Sequence, residues 1–197
     1  PSEVPAGAAD RPWLGGVRSG HRAGVHAVIV YESIYGNTHL IAEAIGRGLA
    51  ARHEVSVVPV DEAGEETVAA ADLLVVGGPT HAHGLSSHAS REAAVEAAHA
   101  PETELVLDDD AEGPGLRDWF NTLGRHSGRA AAFDTRLGAP AVLTGRASKG
   151  IARRLRHHGF ELVAEPESFL VTKENHLEDD QAARAEAWGT TLADSLG

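Results

Sequence analysis

Beyond Val25 the chain alternates apolar runs of strand length with segments of helical period, and this alternation restricts its possible folds more than any other feature. Residues 25–31 (VHAVIVY) are almost continuously apolar, the pattern of a strand covered on both faces. Residues 37–52 carry Leu40, Ile41, Ala44, Ile45, Gly48 and Leu49 on one stripe, which predicts a helix. Residues 54–60 (EVSVVPV) predict a second strand, and Pro59, lacking an N–H, predicts an edge position for it. A third strand is expected over 72–78 (DLLVVGG) and an Ala/Glu helix over 88–99. Trp119, Phe120 and Leu123 belong to a short helix, and residues 129–133 (RAAAF) to a fourth strand. A basic helix follows over 147–158, closed by Gly159 as a left-handed cap. The fifth strand starts at Phe160, is interrupted at Pro166 and resumes over 168–172, before a last helix over 178–196. Such alternation predicts the α/β class, with a parallel sheet between two helical layers and ligands at the carboxyl ends of the strands.

A chain of 197 residues suits one core, placed over 25–197. Residues 1–24, rich in Pro, Gly and Arg without an apolar period, are expected to be a flexible extension. The formal net charge of −12 argues against nucleic acid or an anionic membrane as partner. Cysteine is absent, which excludes disulfides, thiol chemistry and Cys-held zinc or iron–sulfur clusters. No apolar run reaches the roughly 20 residues of a membrane span and no signal segment is recognisable, so a cytoplasmic setting without membrane insertion is expected.

The turn after the first strand, Glu32-Ser33-Ile34-Tyr35-Gly36-Asn37-Thr38, opens directly into a helix. The first amides of a helix are unpaired and lie at the positive end of its dipole, which suits a phosphate group. Ser33 and Thr38 add hydroxyls, Asn37 an amide, and Gly36 a close backbone approach. No Lys or Arg lies between Glu32 and Gly46, so the turn is expected to rely on neutral donors. The dinucleotide fingerprint and the Walker lysine are both missing. A plain capped turn would explain Ser and Asn separately, but not this combination behind a buried strand.

Here the sequence resembles the flavodoxin family, through Ile29-Val30-Tyr31, Ser33, Gly36, Thr38, Ala42 and Ile45, and the likeness extends over about residues 25–197. The resemblance implies a flavodoxin-like three-layer sandwich with a five-stranded parallel sheet of order 2-1-3-4-5. Flavin mononucleotide (FMN) would lie across the strand ends. Ser33, Ile34, Tyr35, Gly36, Asn37 and Thr38 would hold its phosphate. Pro79, Thr80, His81 and Gly84 would meet one side of the ring, and Phe133, Asp134, Thr135 and Arg136 the other. His81 falls where many members carry a stacking tryptophan, and the second loop offers no tyrosine. Without aromatic walls, and with Arg136 nearby, the reduced anion should form more easily and the potential should be less negative.

The implied function is electron transfer between a reductase and an acceptor protein. Two alternatives share the fold: an FMN-dependent NAD(P)H:quinone reductase-like enzyme, and a flavin-free interaction module. Other clusters read more plainly. His81, His83 and His88 lack the further ligands a stable metal site needs, so no metal is expected. Asp108-Asp109-Asp110 lacks the ligand spacing of a calcium loop and reads as a solvated acidic loop. The basic helix reads as a solvated face, with a site for an NAD(P)H phosphate or an acidic partner as the lesser alternatives, and no catalytic triad can be assembled.

Overall fold

The fold is known from a computed structural model, which describes residues 25–81, 84–101 and 103–196; the extension expected over 1–24 lies outside them. In chain order the elements are β1 (His26–Tyr31), α1 (Asn37–Ala50), β2 (Glu54–Pro59), α2 (Glu65–Ala69), β3 (Leu73–His81), β4 (Gly84–Leu85) and α3 (His88–Ala98). They continue with α4 (Leu116–Thr122), β5 (Gly128–Leu137), α5 (Ala141–Thr144), α6 (Ala147–His157), β6 (Phe160–Leu162), β7 (Glu167–Val171) and α7 (Gln181–Asp194).

The main sheet runs β2-β1-β3-β5-β6, with β7 also pairing to β5, and all of these pairings are parallel. β6 and β7 are two halves of one fifth strand, separated by the segment containing Pro166. The expected order 2-1-3-4-5 is therefore the observed one, with an added two-residue antiparallel strand, β4, folded back on the end of β3. β2 occupies the edge that Pro59 predicts.

Alternation along the strands divides the core between two layers. Val28, Val30, Leu74, Val76, Ala130 and Ala132 face a layer containing Leu116, Trp119, Phe120, Ile151 and Leu155. Ala27, Ile29, Leu73, Val75, Ala131 and Phe133 face the opposite layer, built from Ile41, Ile45, Leu49, Ala185 and Leu192. Each large aliphatic side chain buried this way contributes about 1.5–3 kcal/mol. The stripe predicted for α1 is displaced from where the sequence puts it, because Leu40 is 52% exposed while Ala42 is buried.

α1 and α7 touch backbone to backbone. A Cβ on Gly48 would stand 2.1 Å from the Glu186 carbonyl oxygen, and one on Gly189 would stand 2.2 Å from that of Ile45. Trp119 donates from Nε1 to the Ala63 carbonyl at 2.6 Å, and Trp188 packs edge-on against Phe133 and Phe169, so both tryptophans serve packing. Among the described residues no helix is long and apolar enough to cross a membrane.

Candidate functional site

The carboxyl ends of β1, β3, β5 and β7 open onto one cavity of about 240 Å³. Ser33, Ile34, Tyr35, Asn37 and Thr38 line it from the first turn, Pro79, Thr80 and His81 from β3, and Thr135, Arg136 and Leu137 from β5. Val171, Thr172, Lys173 and Asn175 close it from the end of β7 and the loop beyond.

The turn after β1 keeps its donors free. Glu32 N–H continues the sheet by bonding to Gly77, and Gly36 N–H bonds to Ser33 Oγ at 3.1 Å. Among the described residues, no protein group accepts from the main-chain N–H of Ser33, Ile34, Tyr35, Asn37, Thr38 or His39. Two carbonyls of the turn are occupied elsewhere: Ile34 accepts from Asp108 N at 2.8 Å and Gly36 from Leu40 N at 3.0 Å. Gly36 holds φ at 85°, in the left-handed region, with open space where a Cβ would stand. The turn is thus a row of unused amides at the start of a 14-residue helix.

The side chains of the turn divide by role. The Thr38 and Thr135 hydroxyls bond to each other at 2.8 Å in a buried position, which leaves one O–H of the pair to donate elsewhere. Tyr35 turns its hydroxyl away, donating to the Ala94 carbonyl at 2.8 Å, and burial pushes the phenol above its ordinary pKa. Asn37 spends its side-chain amide on Asn175 rather than leaving it free. Ile34 packs with Ala94 and Ala111 in a small separate cluster that also takes in Tyr35 and Leu107.

A family model described as flavodoxin matches residues 29–120. The chain carries a flavodoxin-family domain. Solved structures similar to it include a flavodoxin from the domain Archaea, with 20% identity and a TM-score of 0.58 over 87% of this chain and 98% of that one. Flavodoxin 2 from Bacillus cereus shows 21% identity and a TM-score of 0.59, over 86% of this chain and 98% of that one. The Flv1 flavodiiron core from Synechocystis gives 17% identity and a TM-score of 0.58, covering 89% of this chain but 36% of that one. At these identities the solved structures speak for the fold. No curated protein sequence matches the chain.

Several residues of this flavodoxin-family domain stand elsewhere than the sequence suggests. Phe133 does not reach the cavity: it is fully buried in the layer under α1 and α7. Asp134, also fully buried, accepts from the Thr80 hydroxyl at 3.1 Å and from Ser148 N at 2.8 Å, and so ties β3 to the start of α6. Gly84 lies in β4, paired with His81, rather than among the residues lining the cavity. Arg136 does line it, but its Nη1 is held by the carbonyls of Leu137 and Ala139 at 3.1 and 2.7 Å, while Nε is buried without a partner among the described residues. Thr80 contributes its surface, since its hydroxyl donates to Asp134 and accepts from Ala147 N.

The cavity also holds cations that the sequence reading did not place beside the turn. The β7–α7 loop brings Lys173 to the cavity that Ser33 and Thr38 line, and Arg136 adds a second cation. Lys173 and Asn175 escaped the sequence reading because their place depends on sheet order; the available signal was the polar run T-K-E-N-H directly after an apolar strand. The acidic loop is also not wholly solvated. Asp108 lies 3.3 Å from His39 Nδ1, and Asp110 accepts from the Tyr31 hydroxyl at 3.4 Å. Burial, then Asp110 and Asp108, raise the Tyr31 phenol pKa.

His81 is mostly withdrawn from water, and burial lowers its pKa below the ordinary histidine value, with the Glu32 carboxylate pulling weakly the other way. Glu32 is buried and accepts from the Ser86 hydroxyl and from Leu116 N, the latter at 2.7 Å. Of the three histidines weighed for a metal, His83 lies outside the described residues and His88 pairs with Glu92 at 3.1 Å. Among the described residues no group of three His, Cys, Asp or Glu side chains is placed to hold a metal ion.

Proposed function

We propose that the domain binds FMN in the cavity at the strand ends and passes electrons between a reductase and an acceptor protein, in a cytoplasmic setting. The observation that carries this reading is the row of unused amides from Ser33 to His39 around Gly36. Amides of this kind need an acceptor, and a phosphate placed there also meets the positive end of the α1 dipole. The open space over Gly36 leaves room for it. Lys173 adds a counter-charge, and the Thr38–Thr135 pair adds a hydroxyl.

For the ring, Pro79, Thr80 and His81 offer one wall and Thr135 with Arg136 the other. Bound flavin supplies the one- and two-electron chemistry; the protein fixes its position and tunes its potential. A withdrawn, neutral His81 adds no charge beside the ring. The bond from Thr80 to buried Asp134 holds β3 at a fixed distance from β5, so the two walls cannot spread apart.

The test is reconstitution. Purified protein given FMN and then desalted is expected to keep a yellow chromophore, to accept electrons from a flavoprotein reductase and to return them to a haem protein acceptor. NADPH oxidation with a quinone should stay slow; rapid turnover would transfer the case to the reductase-like enzyme. A colourless preparation that takes up no FMN at saturating concentration would sink the flavin reading.

A further inference from the structure

Beside the flavin cavity, on the far side of the β3–β4 hairpin, lies an open groove of about 700 Å³ lined by Arg117, Arg146, Lys149, Arg153 and Arg154. The chain has 29 acidic residues against 17 Lys and Arg, yet none of these five cations lies within salt-bridge distance of a carboxylate among the described residues. Three of them are held by neutral groups, Arg154 donating to the Gly150 carbonyl at 3.4 Å. Arg117 is anchored to the carbonyls of Leu85 and Ser86 at 2.8 and 2.6 Å, and Arg146 to Ser168 Oγ at 3.0 Å. The side chains of Lys149 and Arg153 have no hydrogen-bonding partner among the described residues. Burial, then Arg117 and Arg153, lower the pKa of Arg154, the sign expected of like charges held together. Grouped cations without counter-charge in an acidic protein repel one another, and an external anion relieves that repulsion.

The rim identifies the kind of anion. Val142, 87% exposed, lines the lip of the groove from α5, and its neighbour on that helix, Leu143, is 65% exposed. Pockets for small ligands are mainly apolar and enclosed, whereas this groove is open, cationic inside and apolar at its edge. A free phosphate or dinucleotide would cover the cations and leave Val142 bare. A protein surface carrying Asp or Glu around an aliphatic side chain would cover both. The groove is also joined to the flavin cavity, because Ala147 N at the start of α6 donates to Thr80 Oγ1 at 2.9 Å and Ser148 N to Asp134 Oδ2 at 2.8 Å.

We infer that this groove is the docking surface for an acidic protein partner, seated on Arg117, Lys149, Arg153 and Arg154 with its apolar contact on Val142 and Leu143. Docking there brings the partner beside the strand ends, and the electron-transfer role of the contact rests on the flavin reading above.

Two labelled peptides probe it at low ionic strength by fluorescence anisotropy, one of Glu-Glu-Leu repeats and one of Glu alone. Both are expected to bind the full chain, the leucine-containing one more tightly. Lys149→Glu with Arg153→Glu should weaken both by about tenfold or more. Val142→Asp with Leu143→Asp should remove the advantage of leucine. Arg47→Glu on α1 with Arg52→Glu in the turn after it should change neither. Equal binding by the Lys149/Arg153 variant overturns the proposal. So does displacement of the peptide by NADPH or inorganic tripolyphosphate at concentrations below the peptide's own Kd, which marks a small-anion site. FMN titration of each variant separates the two readings: wild-type FMN affinity with lost peptide binding isolates the groove, and peptide binding without FMN uptake removes only the flavin reading.

Discussion

The side-chain amide of Asn37 donates to the main-chain oxygen of Asn175 at 2.9 Å and to its side-chain oxygen at 3.1 Å, across 138 positions of sequence. This double bond of contacts ties the first turn of α1 to the loop that carries Lys173. Asn175 itself holds φ at 63°, a left-handed conformation that asparagine tolerates better than most residues.

Asn175→Ala should therefore act on the cavity by loosening this tie. It removes one of the two acceptors and adds backbone strain, each worth about 1 kcal/mol, so FMN affinity is expected to fall about three- to tenfold. Asn175→Gly removes the same acceptor but not the backbone freedom, and should fall less. Quenching of flavin fluorescence measures both.

Lys173 lines the cavity from the same loop. If its charge faces the phosphate, Lys173→Gln should weaken FMN binding by about tenfold at low ionic strength, and less as salt rises. Riboflavin, which lacks the phosphate, should bind the variant and the parent equally. Parallel calorimetric titrations of the two ligands check this.

Acid should cost stability through His81. Its folded pKa lies below the ordinary 6.5 because of burial, so between the two values the unfolded chain binds more protons. Stability is then unaffected by this group above about pH 6.5 and falls as pH drops from there through the folded pKa. His81→Gln should flatten that part of the pH profile, as read from urea midpoints across mildly acidic pH.

The same position tests the tuning of the ring. An aromatic wall disfavours the electron-rich reduced flavin, so His81→Trp should shift the potential of the reconstituted protein to more negative values. Spectroelectrochemical titration of parent and variant decides the sign, and an unchanged or more positive potential would place His81 away from the ring.

Much of the architecture was legible because the strands are buried on both faces and read as unbroken apolar runs. Pro59 marked the edge, Pro166 marked the break between β6 and β7, and Gly159, at φ 102°, closes α6 as a left-handed cap. The carboxyl half of β5 was hidden, since Asp134, Thr135 and Arg136 continue the strand with polar side chains whose pairing to β3 and β7 only the sheet reveals. β4 is two residues long and carries no pattern at all. The turn from Ser33 to Thr38 was readable as a unit because its geometry is local: consecutive unpaired amides and one left-handed glycine. Its complement from the β7–α7 loop was not, because Asn175 and Lys173 meet it only through the strand order.

The most direct measurement is calorimetric titration of the flavin-free protein with FMN and with riboflavin side by side. If a phosphate occupies the free amides between Ser33 and His39, FMN should bind at least about a hundredfold more tightly, a difference of roughly 2.7 kcal/mol. Equal affinities, or no heat with either ligand, would contradict the account.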